Sequence, residues 1–345
     1  MRGVGIIGAG PGVSALHLPL LAAWRAELDV VHVADAGSGR ATALAERLGA
    51  RSSSGDEQIL ADPRVEIVAI CSPPSAHARQ ILAAVAAGKR AIFCEKPIAL
   101  TRADAAAVVT ACAEAGVALV VGTNHLFDPA WTRAKLHLDA AAADVRSISV
   151  TAALAPNDRY HRLVSDVPVG PPPVRPAVDL ADRDQAADIV RQLVVGLGVH
   201  DLPLIRDLAP ERERLVYARA VPPIGFDLGY LASGVVVRHS AVMLPPGADT
   251  LWRMSIHTDH DRIDIAFPPP FVHAGSAHVR VRDAAGRDIR YPVERGDGYE
   301  EEWRELVGVL RGDRPTEYSE IAADAVFAIE LAEAAASAVL AGGGS

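Results

Sequence analysis

The chain has 345 residues, half of them hydrophobic, and a net charge of −9. That length exceeds a single core and suits two domains. The negative balance and the lack of a basic cluster argue against nucleic acid as a partner, and no apolar run is long enough to span a bilayer.

The first third alternates strands with helices. Val4-Gly5-Ile6-Ile7 reads as a short buried strand that runs into Gly8-Ala9-Gly10-Pro11-Gly12-Val13. Glycines at such a turn let the backbone approach a pyrophosphate at a helix N-terminus. A helix is expected from Ser14 to Leu28, then a strand Val30–Asp35 that ends in an acid. An acid there accepts hydrogen bonds from an adenosine ribose, so the chain is expected to open with a dinucleotide-binding unit. The helix Arg40–Leu48 stops at Gly49, and the strand Val65–Cys71 ends in Ser72-Pro73-Pro74. A helix His77–Ala87 is closed by Gly88, and the strand Ala91–Cys94 precedes Glu95-Lys96-Pro97. Thr101 and Asp104 form a capping box for a helix ending at Gly116, and Val117–Val121 is the next strand. Near-continuous apolar strands between helices mean a parallel sheet covered on both faces.

Beyond Asn124 the pattern changes. A helix Pro129–Leu138 leads to strands with alternating character: Ser147–Val150, Gly234–Val242 and Ile263–Phe267. Val279–Arg282 and Ile289–Tyr291 make a hairpin across Asp283-Ala284-Ala285-Gly286. This half reads as an open, mostly antiparallel sheet with one apolar face, closed by helices near Tyr299–Leu310 and Glu320–Leu340. The Pro-rich stretch from Asn157 to Asp184, with Tyr160 and His161, is expected to be a surface loop or an active-site cover. Glu300–Glu302 reads as the solvated start of a helix. The first strand begins within a few residues of Met1, which leaves no room for a signal peptide. Cys71, Cys94 and Cys112 lack metal-like spacing, and neither they nor the histidines suggest a metal site. Free thiols and the missing leader make the cytoplasm the expected location.

The motifs Gly8-Ala9-Gly10, His17-Leu18-Pro19, Asp35, Ser72-Pro73-Pro74 with His77, Glu95-Lys96-Pro97 and Gly122-Thr123-Asn124 occur in this order. Their order and spacing resemble the glucose-fructose oxidoreductase, inositol dehydrogenase and rhizopine-catabolism (Gfo/Idh/MocA) family. The likeness returns at Gly198-Val199-His200-Asp201 and at Tyr299–Trp303, and fades over 155–195 and 205–275. The resemblance implies an α/β protein: a doubly wound Rossmann domain over 1–124, then a substrate-binding and oligomerisation domain over 125–345 built on the open sheet. The final helices are free in this reading to pack back on the first domain. It implies that Gly8, Gly10, Pro11, Gly12 and Val13 hold the pyrophosphate and that Asp35 binds the adenine ribose. Ser72, Pro73, Pro74 and His77 line the cofactor groove, and Glu95, Lys96, Pro97 and Asn124 lie at the nicotinamide. NAD is the expected cofactor, because a carboxylate at Asp35 repels a 2′-phosphate, with NADP left open.

The family's further pattern is D-x-G-x-H, with the histidine as acid/base. Here it reads Gly196-Leu197-Gly198-Val199-His200, so the histidine stands without its aspartate, and Asp201 is the one nearby acid that could replace it. Lys96 and His200 are the expected catalytic pair, meeting over the nicotinamide from separate domains. The implied activity is hydride transfer at a secondary alcohol or ketone of a sugar, sugar nucleotide or cyclitol. Two alternatives stand beside it: transient use of NAD in a net non-redox epimerisation or elimination, and a dinucleotide-binding sensor without turnover. A homodimer or homotetramer is expected, on the ground that an apolar open sheet face needs cover.

Overall fold

The strand Arg2–Ile7 (β1) is buried along its last four residues because Val4, Ile6 and Ile7 have no polar neighbour to turn outward. In the computed structural model, which describes residues 1–156, 160, 178–245, 247 and 249–342, β1 lies at the centre of a six-stranded sheet. The others are Leu28–Asp35 (β2), Arg51–Ser54 (β3), Ile67–Ile70 (β4), Ala91–Glu95 (β5) and Ala118–Gly122 (β6). Every neighbouring pair is parallel, and the order is β3-β2-β1-β4-β5-β6. The strand order therefore reverses between β1 and β4, and a doubly wound sheet opens its crevice there, outside the carboxyl ends of the strands.

The helices between these strands are Leu18–Ala23 (α1), Arg40–Leu48 (α2), Glu57–Ala61 (α3), Pro74–Ala86 (α4) and Arg102–Ala115 (α5). The Thr101 hydroxyl accepts from Asp104 N and donates to the Asp104 carboxylate, so the expected cap forms at α5. One expectation fails. The helix that should reach Leu28 ends at Ala23, because Leu28 is drawn into the sheet opposite Arg2 and the chain turns through Trp24–Glu27 to get there. The edge strand β3 escapes a sequence reading, since Arg-Ser-Ser-Ser has no apolar alternation.

The chain divides into two compact units. Met1–Gly122 groups with Tyr299–Val326, and the second unit begins at Thr123. Its helices are Asn124–Phe127 (α6), Pro129–Ala141 (α7), Arg183–Gly196 (α8) and Leu202–Leu208 (α9); Gly298–Arg311 (α10) and Tyr318–Leu340 (α11) close the chain. Its strands are Val145–Leu154 (β7), Arg212–Ala220 (β8), Gly225–Ala232 (β9), Val235–Met243 (β10), Leu251–Thr258 (β11), Asp261–Ala266 (β12), His278–Asp283 (β13) and Asp288–Arg290 (β14). They form one sheet in the order β14-β13-β12-β11-β7-β10-β9-β8, antiparallel except where β7 meets β10. The hairpin expected at Asp283–Gly286 joins β13 to β14.

Register decides which face is apolar. Ile148, Ile256, Ile263, Val281 and Ile289 stand opposite one another across five strands and turn inward. There they meet Ala134 and Leu138 of α7, Val190 and Val194 of α8 and Leu331 and Ala335 of α11. One residue along, the row is Arg238, Ser149, Ser255, Asp264, Arg280 and Arg290. This row of the face turned away from the core is thus polar, while Val236 and Leu251 stand exposed on the same face. Most of the Pro-rich stretch, His161 included, lies outside the described residues. Tyr160 is described, and it is buried.

Asp128 caps α7. Its carboxylate accepts from Ala130 N at 2.8 Å and from Ala277 N at 3.1 Å. Burial pushes it up to about 6, with Asp297 adding to the rise and the two backbone donors opposing it. The folded protein then holds a proton that the unfolded chain releases near pH 4, so this group's contribution to stability is full below that pH and lost as pH rises through about 6. Asp128→Asn keeps the acceptor and removes the titration. Thermal melts between pH 4 and pH 7 are expected to show a flatter pH dependence in the variant than in the wild type; parallel curves contradict this. A second prediction concerns Gly298, where a Cβ would lie 1.8 Å from the Asn124 carbonyl oxygen. Gly298→Ala is expected to lower Tm by about 5 °C or more, since only a backbone shift relieves the overlap.

Candidate active site

In the first unit the glycine turn leaves β1 at the point of strand reversal. Gly8 has φ +104°, and a Cβ there would stand 2.4 Å from the Cys71 carbonyl oxygen, so two strand ends meet where only glycine fits. A Cβ on Gly10 would meet nothing within 4 Å, which leaves open space beside the turn. Val13, where a third glycine is usual, is buried, and Val13–His17 forms a wide π-type turn before α1. Its side chain packs inward.

Asp35 stands at the end of β2. One of its oxygens accepts from Gly37 N at 2.7 Å and Ser38 N at 3.2 Å, the other from the Ser38 hydroxyl and from Ala41 N at 3.1 Å. Burial works against the charge, but these donors outweigh it and hold the carboxyl below its usual range. An open glycine turn and an ionised acid one strand away suit a dinucleotide, so the residues present fit the group that the sequence implies. A ribose diol must displace the Ser38 hydroxyl to reach Asp35.

Glu95 and Lys96 follow β5, with a cis bond between Lys96 and Pro97. His17 Nε2 lies 2.9 Å from Glu95 Oε1, and the Trp303 indole N–H donates to His17 Nδ1 at 3.2 Å. An indole is only a donor, so Nδ1 carries the lone pair and Nε2–H points at the carboxylate. Trp303 is held in turn by stacking on Phe93, with ring centroids 4.8 Å apart. Burial alone would raise Glu95; the bond from His17 and the charge of Lys96 bring it below the ordinary value. Burial lowers Lys96, while the charges of Glu95 and Glu302 oppose the fall. The amine thus feels the charges of two carboxylates in a partly dry setting, the condition under which a lysine becomes a usable acid or base.

His77 is fully buried. Its Nδ1 lies 2.8 Å from the Pro97 carbonyl and its Nε2 2.8 Å from the Ser72 carbonyl. It therefore staples the 72–74 loop to the 96–97 loop. Ser72 donates to Gln80 at 2.5 Å, and Pro73 and Pro74 start α4 with their rings exposed. Glu302 was expected in solvent and is buried; Glu300 and Glu301 pair with Arg304 at the surface. The signal was present in the sequence. Tyr299, Glu302, Trp303, Leu306 and Val307 fall on one helical stripe, and the glutamate lies inside it.

In the second unit His200 Nδ1–H donates to Asn124 Oδ1 at 2.6 Å. Asp201, the acid next in sequence, points elsewhere: it accepts from His125 Nδ1 and from the Trp252 indole, each at 3.0 Å. Burial would raise Asp201, but the imidazoles of His125 and His239 hold it below its ordinary value. His125 stacks on Phe267, and the His125 and His200 ring centres are 5.4 Å apart. Trp252 meets both imidazoles edge-on. The expected substitution of Asp201 for the missing aspartate is therefore corrected: the carboxylate is spent on His125 and Trp252, and an amide holds His200.

Among the described residues no group of three or more His, Cys, Asp or Glu side chains is placed to hold a metal ion, and no helix is long and apolar enough to cross a membrane. A prediction follows from the charges around Lys96. Glu302→Gln removes one of the two that hold its proton on, so the amine titrates at lower pH. Labelling of Lys96 by an amine-reactive reagent, followed by peptide mass spectrometry across pH 6 to 10, is expected to show its midpoint displaced downward. An unmoved or raised midpoint contradicts the arrangement.

Residues 2–123 match the Gfo/Idh/MocA family profile, described as an oxidoreductase family with an NAD-binding Rossmann fold. The chain is 38% identical over 112 residues to the scyllo-inositol 2-dehydrogenase (NAD(+)) of Bacillus subtilis, covering 32% of each chain. It is 33% identical over 205 residues to inositol 2-dehydrogenase 2 of Saccharopolyspora erythraea, covering 59% of this chain and 52% of that one. The chain thus spans between a third and about half of the length of these curated relatives. A crystal structure of a 3-ketoreductase from Actinomadura kijaniata in complex with NADP has a TM-score of 0.73 over 97% of both chains at 19% identity, a likeness of fold. Through residues 2–123, the chain is similar to the Gfo/Idh/MocA oxidoreductase family.

Proposed function

We propose that the protein is an NAD(H)-dependent oxidoreductase acting on a secondary alcohol or ketone of a sugar, sugar nucleotide or cyclitol. The observation that carries this is Lys96 at the carboxyl end of β5, its amine under the charges of Glu95 and Glu302, in the unit whose glycine turn suits a dinucleotide. The named activities of the curated relatives, inositol dehydrogenation among them, support a polyhydroxylated substrate. The ionised Asp35 supports NAD(H) over NADP(H).

When bound, the nicotinamide supplies the hydride acceptor or donor. The chain's own residues do the rest. Lys96, tuned by its two carboxylates, stabilises the oxygen that gains negative charge as the hydroxyl proton leaves. His200, with Nδ1–H tied to Asn124, carries its lone pair on Nε2 and takes that proton. In the reducing direction the same groups return it. The sensor reading arose from the glycine at 196; a histidine oriented by another residue leaves that glycine without the meaning that motivated it.

The test is turnover by Lys96→Met against a panel of inositols and sugars with NAD⁺. We expect kcat to fall about a thousandfold, while NADH fluorescence still reports binding. Turnover near the wild-type rate overturns the role given to Lys96. A wild-type chain that binds NADH tightly yet reduces no NAD⁺ across the panel favours the sensor.

A further inference from the structure

We propose that Asn124 is the positioning residue of His200, taking the place of the carboxylate that Gly196 does not supply. This rests on the reading of His200 as the acid/base group.

Among the described residues the geometry points to Asn124 for that task. A Cβ on Gly196 would meet nothing within 4 Å, so the position has room for a side chain and lacks one. Asp201 is committed: its oxygens accept from Trp252 and His125, and His239 Nε2 lies 3.5 Å away. Asn124 Oδ1 is the acceptor at 2.6 Å from His200 Nδ1. The backbone of Asn124 is also held in place. Its carbonyl packs against Gly298 so closely that any Cβ at 298 would overlap it. The residue that orients the imidazole is thus itself located by a contact that glycine alone permits.

An amide and a carboxylate do different things to an imidazole. Both accept from Nδ1–H, and so both fix the tautomer with its lone pair on Nε2. A carboxylate also stabilises the imidazolium and raises the ring's basicity; a neutral amide does not. Asn124 therefore gives His200 its orientation without that rise. The charged and titratable groups around His200 are His125 on α6, which faces its ring, and Asp201, which begins the following turn and is shared among His125, Trp252 and His239. Neither replaces the bond to Nδ1. The protein then runs its acid/base step with a less basic imidazole than an aspartate-paired relative would have.

Three variants of the full chain test this: Asn124→Ala, Asn124→Asp and His200→Gln. Long-range ¹H–¹⁵N spectra of histidine-labelled protein read the tautomer and titration of each imidazole, and His200→Gln assigns the signal. In the wild type His200 is expected as the Nδ1–H tautomer. In Asn124→Asp its titration midpoint is expected to rise by about one pH unit or more, and the acid limb of kcat/KM on the best polyol of the panel to move up with it. In Asn124→Ala the tautomer preference is expected to be lost and kcat to fall about a hundredfold with a smaller change in KM. A wild-type His200 protonated at Nε2 overturns the proposal. So does an Asn124→Asp midpoint that stays put, a result obtainable even if the alanine variant fails to fold. If Asn124→Ala keeps the wild-type rate while His200→Gln is inactive, the positioning role fails and the reading of His200 stands. If His200→Gln is fully active, the reading beneath the proposal fails.

Discussion

An ionised carboxylate in a half-buried place must be held by donors, and at Glu95 the donor is an imidazole whose tautomer is set by an indole. Trp303 can only donate, so His17 can only present Nε2–H to the glutamate. The rest of the first unit's chemistry follows from that chain of single-valued choices. The negative charge at Glu95, joined by Glu302, opposes the loss of the Lys96 proton that burial would cause. Removing the imidazole or the indole leaves a half-buried charge less well held, which costs more than the net worth of one hydrogen bond.

The second unit solves a similar problem differently. Its buried acid, Asp201, is given to His125 and Trp252, and the imidazole assigned to chemistry takes a neutral acceptor. The two units thus place their charge at opposite ends of the acid/base question. Lys96 is under the charges of two carboxylates, whereas His200 is oriented by an amide.

Much of this was legible in the residues, and the reasons for the rest are physical. Gly8 reads as a special turn because the strand before it and the acid after it frame it. The cap at Thr101–Asp104 and the hairpin at Asp283–Gly286 are local, so local chemistry announces them. The strand β11 carries Trp252, Met254 and Ile256 at every second place, and β9 carries Phe226, Leu228 and Tyr230; the alternation is present but short and broken by polar neighbours. What no local pattern can show is a pair such as Asn124 and His200, 76 residues apart. The partners of His77 are hidden from the sequence for the same reason. Its position on α4 is legible, but the two carbonyls that occupy its nitrogens come from loops brought together by the sheet.

The central claim is that these groups serve a bound nicotinamide dinucleotide. Calorimetric titration of the full chain with NADH and with NADPH tests it most directly. The account predicts saturable binding of one NADH per chain, with NADPH weaker by about tenfold or more through its 2′-phosphate facing Asp35. No saturable binding of either dinucleotide would contradict the account.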